Sequence, residues 1–232
     1  MIEMVRRYVR QKYGSAGFLA ALTVLALIET LTFANGGGRG GFVIVQWAIF
    51  VVAAGSVSRD ISSGALQMIL SRPIRRTQYL FGRYLGILAS YGLFLAVTSA
   101  LIFLVVHATS RSAAEDASPL RLLLLAADSF LTGAFQAAIL LMFSTFLPGI
   151  ADLVGLLVLF IVLHLPPWKS AWLRNVADAA RENILPAVSW NEALSGEGIL
   201  GEATGRWVFA LTVYLVLAAV IFSRRELPYG QD

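Results

Sequence analysis

The chain has 232 residues, 58% of them hydrophobic and only 14% charged, with a mean hydropathy of +0.75. An ordinary soluble domain carries about 45–50% apolar and about 25% charged residues; a soluble fold of this length would leave too much apolar surface in water, and disorder is excluded for the same reason. There are no cysteines, which excludes disulfides, thiolate catalysis and cysteine-ligated metals.

The bilayer is the solvent that fits. A spanning helix needs about 20 apolar residues, and six stretches qualify: 16–34, 42–57, 84–106, 120–143, 150–165 and 207–223. The expected fold is therefore all-α, a single membrane domain over 1–232 with six transmembrane helices. No room remains for a soluble catalytic domain. The net charge of +4 and a pI near 9.7 would also suit nucleic acid, but the charge follows membrane topology, so no nucleic-acid partner is expected.

Taken in order, residues 1–15 come first. Ile2, Met4, Val5, Tyr8, Val9 and Tyr13 share one side of a helix, and Glu3, Arg6, Arg7, Arg10 and Gln11 the other. That pattern predicts an interfacial amphipathic helix in contact with lipid, either a membrane anchor beside the first span or, through Arg6, Arg7 and Arg10, a docking element for a cytoplasmic partner. The first span follows. Its apolar run of 19 residues exceeds the about 7–15 of a signal core, so it reads as a retained helix. Asn35–Gly41 is a glycine-rich turn. The second span is short unless its helix continues into Ser58–Asp60.

The polar, basic segment 58–83 carries the most information. As a helix over 61–72, it puts Ile61, Ala65, Met68 and Ile69 on one face. Pro73 stops it, and Arg72, Arg75 and Arg76 cluster at its end, where cations suit the helix dipole. Beyond the third span, 107–119 is a polar loop ending in Pro119. In the fourth span, Asp128, Thr132 and Gln136 recur every four residues as one polar stripe. Leu147-Pro148-Gly149 is a turn, and Pro166-Pro167 ends the fifth span. The region 166–206 holds Trp168 and Trp172 at interface spacing, then Pro186 and Trp190.

Orientation follows Lys and Arg. With both termini cytoplasmic, the inner segments hold 11 of the 18 basic residues and the outer ones 7, balanced there by 7 acids. Glu29 and Asp128 are the acids well inside spans, six residues from Asn35 and seven from Arg121. Each sits about 9–10 Å below the outer end of its helix. Such acids cost about 2.5–3.5 kcal/mol or more. With Thr132 and Gln136 they line a subunit interface, a substrate path or a proton relay.

The pattern Asp60-x-x-x-Gly64-x-Leu66-x-x-Ile69-Leu70-x-x-Pro73-Ile74-x-Arg76, followed by Gly82-Arg83, resembles the membrane subunits of ABC type-2 permeases. Asp60, Ala65 and Arg83 stand where that family commonly has Glu, Thr and Lys. The ending Phe222-x-Arg224-Arg225-Glu226-Leu227 is similar too, so the resemblance covers essentially the whole chain. It implies an exporter subunit of a bacterial-type plasma (inner) membrane. Two such chains, identical or related, would pair with two ABC ATPase subunits. The segment between spans two and three would be the coupling helix. Ile61, Ala65, Met68, Ile69, Arg72, Arg75 and Arg76 would dock on the ATPase, with Asp60 and Arg83 as an electrostatic frame. Trp168, Trp172, Pro186 and Trp190 would belong to an outer gate of short helices.

The chain itself is not expected to be an enzyme. A P-loop needs G-x-x-x-x-G-K-S/T, and neither Lys12 nor Lys169 follows a glycine. ATP and Mg are therefore assigned to the partner, with no cofactor or metal in this chain. His107 and His164 lie too far apart for a helical metal pair and lack the partners of a hydrolase. Two rival functions remain: an ATPase-driven scaffold without solute transport, and a proton-coupled secondary carrier. The carrier reading meets no convincing internal repeat.

Overall fold

A computed structural model describes residues 2–35, 42, 44–62, 64, 66, 74–109, 117–147, 151–164, 178, 179, 182, 184, 186, 188 and 201–224. Every regular element among them is helical. They are α1 (Ile2–Tyr13), α2 (Ala16–Ala34), a 3-10 turn (Val45–Trp47) running into α3 (Ala48–Ala53), α4 (Ser58–Ser62), α5 (Arg76–Thr109), α6 (Pro119–Phe146), α7 (Ala151–His164) and α8 (Glu202–Arg224).

Helices α2, α5, α6 and α8 are each long and apolar enough to cross a membrane. Their outer faces carry large apolar side chains in the open, among them Leu27 and Leu31 on α2 and Phe209 and Val216 on α8. Such faces need hydrocarbon rather than water. Hydroxyls on the same helices turn back on their own backbone: Thr30 to Ala26 O, Thr32 to Ile28 O, Thr212 to Val208 O. That is how a short polar side chain is satisfied in lipid.

Three boundaries differ from expectation. Helix α5 starts at Arg76, eight residues before the expected third span. Its 34 residues make a rod of about 51 Å, longer than the about 30 Å of hydrocarbon. Helix α7 has 14 residues, Ala151–His164. The expected second span, 42–57, is not one helix: α3 ends at Ala53, residues 54–57 turn, and α4 begins at Ser58. The break is at Gly55, whose φ of +64° is one that L side chains rarely adopt. The turn and loop at 36–41 lie outside the described residues.

The chain divides into two compact units. The first holds α1, α2, α3 and residues 82–137 of α5 and α6. Its organising contact is between α1 and α5. Gly82 and Gly86 stand one turn apart, and Met4 and Tyr8, also one turn apart, lie over them. A Cβ on Gly86 would lie 2.9 Å from the Tyr8 ring. Only hydrogen at both positions lets α1 lie this close. Tyr8, 2% exposed, donates its hydroxyl to Val52 O at 2.6 Å. Arg83 and Lys12 hold their cations 5.2 and 5.6 Å from its ring. Tyr13 donates to Ser90 O at 2.8 Å, and burial pushes its phenol above its ordinary pKa. The apolar side of α1 is thus largely spent on protein, whereas Ile2 stays 85% exposed. Arg6, Arg7 and Arg10 are exposed on its other side.

The second unit holds residues 54–81, the last turns of α6, α7 and α8. Gly155 of α7 lies against Phe143 and Leu147. Arg206 of α8 pairs with Glu182 and Glu202 at 2.9 and 2.5 Å, and Tyr214 donates to Ile184 O at 2.8 Å.

Gly86→Ala is expected to cost about 1–3 kcal/mol, the usual penalty of overpacking, read as a lower unfolding midpoint in detergent. Gly17→Ala, where an added Cβ meets nothing within 4 Å, should leave the midpoint unchanged or raise it.

Candidate functional site

A helix interrupted in hydrocarbon releases backbone N–H groups that no water can satisfy. Following those groups through residues 44–62 locates the site. At the start of the 3-10 turn, Ile44 N and Val45 N both donate to Glu29 Oε2, at 2.6 and 3.0 Å. Glu29 is 1% exposed. It caps this turn from 15 residues upstream, as an acidic N-cap does for an ordinary helix.

The second break is satisfied from α6 and α7. Gly55 N donates to Asp152 Oδ2 at 2.8 Å, and Asp152 Oδ1 accepts from Leu153 N at 2.9 Å. Val57 N and Ser58 N both donate to Ser144 Oγ, at 3.1 and 3.0 Å. Asp152 and Ser144 are fully buried. Helices α6 and α7 therefore grip three amides at the entry to α4.

Helix α4 itself is tied to α5, and α5 in turn meets α8. Asp60 accepts from Tyr79 Oη at 2.5 Å. The Tyr79 ring stacks on Phe222 at 5.7 Å. Arg76 donates to the carbonyls of Phe222 and Ser223 at 3.5 and 3.1 Å, a cation on the open C-terminal end of α8.

The expected docking residues fall into three groups. Ala65, Met68, Ile69 and Arg72 lie outside the described residues. Ile61 is half-buried and Arg75 exposed. Asp60, Arg76 and Arg83 are built into the fold. Asp60, at 7% exposure, offers a docking partner almost no surface, because its carboxylate is turned to Tyr79. The helix expected from Ile61 to Arg72 is interrupted as well. Helix α4 closes at Ser62, with Gly64 at φ +69° and Gly64 N bonded to Ile61 O.

The polar residues expected along a path or interface are in the first unit. Tyr91 is fully buried with its ring over Gly133. Asp128, Thr132 and Gln136 are half-buried. Glu29 Oε1, Tyr91 Oη and Gln136 Oε1 are enclosed and make no hydrogen bond within the described residues. Of the expected gate, Trp168, Trp172 and Trp190 lie outside the described residues, and Pro186 is half-buried. His107 is exposed and bonds its own helix at Phe103 O.

Sequence reasoning missed Ser144, Asp152, Tyr79 and the Gly82–Gly86 pair. One signal was available: Asp152 is an acid in the first turn of an apolar stretch, just after Pro148-Gly149.

Four helices long and apolar enough to cross a membrane, with every regular element among the described residues helical, mark a multi-pass membrane protein. The family described as "ABC-2 family transporter protein" matches residues 11–227. The chain belongs to that family and is an ABC transporter permease subunit by membership. No curated protein matches it.

Glu29→Ala leaves two buried amides without an acceptor, at about 1–3 kcal/mol each. It should lower the unfolding midpoint far more than Glu29→Gln, which keeps a carbonyl oxygen, and should speed amide exchange at Ile44 and Val45.

Proposed function

We propose that the chain is the permease half of an ATP-driven exporter of the plasma (inner) membrane, working as a pair with an identical or related chain and two ABC ATPase subunits. Both termini face the cytoplasm. ATP and Mg are bound by the ATPase, and this chain supplies the pathway and the docking segment. The segment is 58–76: closure of the ATPases pushes it, and the push reaches the spans. Arg75 with Met68, Ile69 and Arg72 meets the ATPase, and the exposed Arg6, Arg7 and Arg10 of α1 flank the same contact.

The observation that carries this reading is the family match over 11–227. The build of α4 supports it. A loop that only fixed topology would have no need of four buried backbone and side-chain ties within six residues. Such anchoring suits a part that must move with the spans rather than slide past them.

A tagged chain purified from mildly solubilised membranes should bring down a separate P-loop ATPase in equal amount. Met68→Asp and Arg72→Glu should each cut the recovered ATPase at least tenfold while the chain itself is still produced. Purification of the chain alone, with solute movement driven by a proton gradient, would falsify the reading.

A further inference from the structure

We propose that Asp152, seconded by Ser144, is a positioning residue that carries displacement of α4 into α7 and α6. The inference rests on the permease reading above and names the residues through which it operates.

The two ends of α4 are unlike. Gly64, on its far side, has open space where a side chain would be. Gly55, on its near side, lies under the Arg59 side chain, which an added Cβ would meet at 2.9–3.1 Å. Both are left-handed, at φ +69° and +64°. The near end is also the bonded one, with Gly55 N on Asp152 and Val57 N and Ser58 N on Ser144. Helix α4 is therefore held from Gly55 to Ser58 by α6 and α7, and at Asp60 by Tyr79 of α5. A push on it pulls on those bonds.

Asp152 is suited to pass that pull on. Both carboxylate oxygens are engaged, one with Gly55 N and one with Leu153 N of its own helix. The side chain has no rotamer to retreat into without losing a bond. At 0% exposure the bond is shielded from water, and a hydrogen bond in such surroundings is strong. Asp152 lies in the first turn of α7, so displacement at Gly55 is applied at the end of that helix. Ser144 does the same for α6 through a neutral, weaker pair of bonds.

The chain has no cysteine, so a single Leu157→Cys on α7, a residue 59% exposed, can carry an environment-sensitive fluorophore. The experiment uses the whole complex with its ATPase in lipid nanodiscs and compares the nucleotide-free state with ATP plus vanadate. The unmutated complex should change its emission. Asp152→Ala and Ser144→Ala should each reduce that change at least twofold per bound ATPase, and raise exchange at the Gly55 or the Val57 and Ser58 amides at least tenfold. Asp152→Asn and Ser144→Thr, which keep an acceptor, should restore most of the signal. If Asp152→Ala does not assemble, the Ser144 pair of variants decides. A full emission change in variants whose amides exchange faster overturns the proposal, since the bonds then only stabilise. A chain that brings down no ATPase overturns the permease reading itself, a result plainly different from a bound ATPase that fails to move α7.

Discussion

A helix that starts or breaks off in buried surroundings must find acceptors for its free amides, and the stretch from Ile44 to Ser58 is built around that requirement. Five backbone N–H groups, those of Ile44, Val45, Gly55, Val57 and Ser58, are met by three side chains, Glu29, Asp152 and Ser144. Each of these side chains is almost wholly buried. Two of them are carboxylates, the side chains that accept without needing to donate. An amide left unmet here would cost about 1–3 kcal/mol, a large fraction of the stability of a typical domain. The interruption is thus tolerated only because distant residues are shaped to it.

The N-terminal helix shows a second use of close approach. Its apolar side resembles that of a helix lying on lipid, yet Met4 and Tyr8 are taken up by the glycine pair on α5. Tyr8 then has its ring against Gly86, two cations near its face, and its hydroxyl on Val52 O. That carbonyl is one of those at the end of α3 that no further helical turn covers. The same logic that supplies acceptors to orphan amides at Gly55 supplies a donor to this carbonyl. With its apolar side spent on protein, α1 presents its arginines outward as a fixed basic face.

Much of the fold was legible in the sequence, for reasons that also explain the rest. Long uninterrupted apolar runs gave α2, α6 and α8 to within a few residues, because a helix in lipid satisfies itself and needs no information from elsewhere. The start of α5 was misplaced because Arg76 and Arg83 read as loop; in the fold Arg76 covers the end of α8 and Arg83 lies over Tyr8. The break at Gly55 was hidden, since a left-handed glycine and an α-helical one are the same letter, and the acceptor that permits it is 97 residues away. Asp60 was noticed for its place in a motif, but its partner Tyr79 is an ordinary aromatic in sequence. The polar residues grouped on the fourth span, Asp128, Thr132 and Gln136, are half-buried in the fold.

An acid within a span invites the reading of a pathway or a proton relay. Glu29 and Asp152 show a different use, and sequence separation distinguishes their consequences. Glu29 closes a loop of 15 residues, whereas Asp152 closes one of 97. Loop-closure entropy rises slowly with length, so the two bonds differ little in that cost. They differ in what they require. The Glu29 cap needs only α2 and the turn that follows it. The Asp152 bond needs the start of α7 to be in place beside a turn that precedes α4. A rearrangement of the later helices leaves the first intact and strains the second. The near cap therefore serves local structure in any state of the protein, and the distant tie is the one whose geometry can change with state.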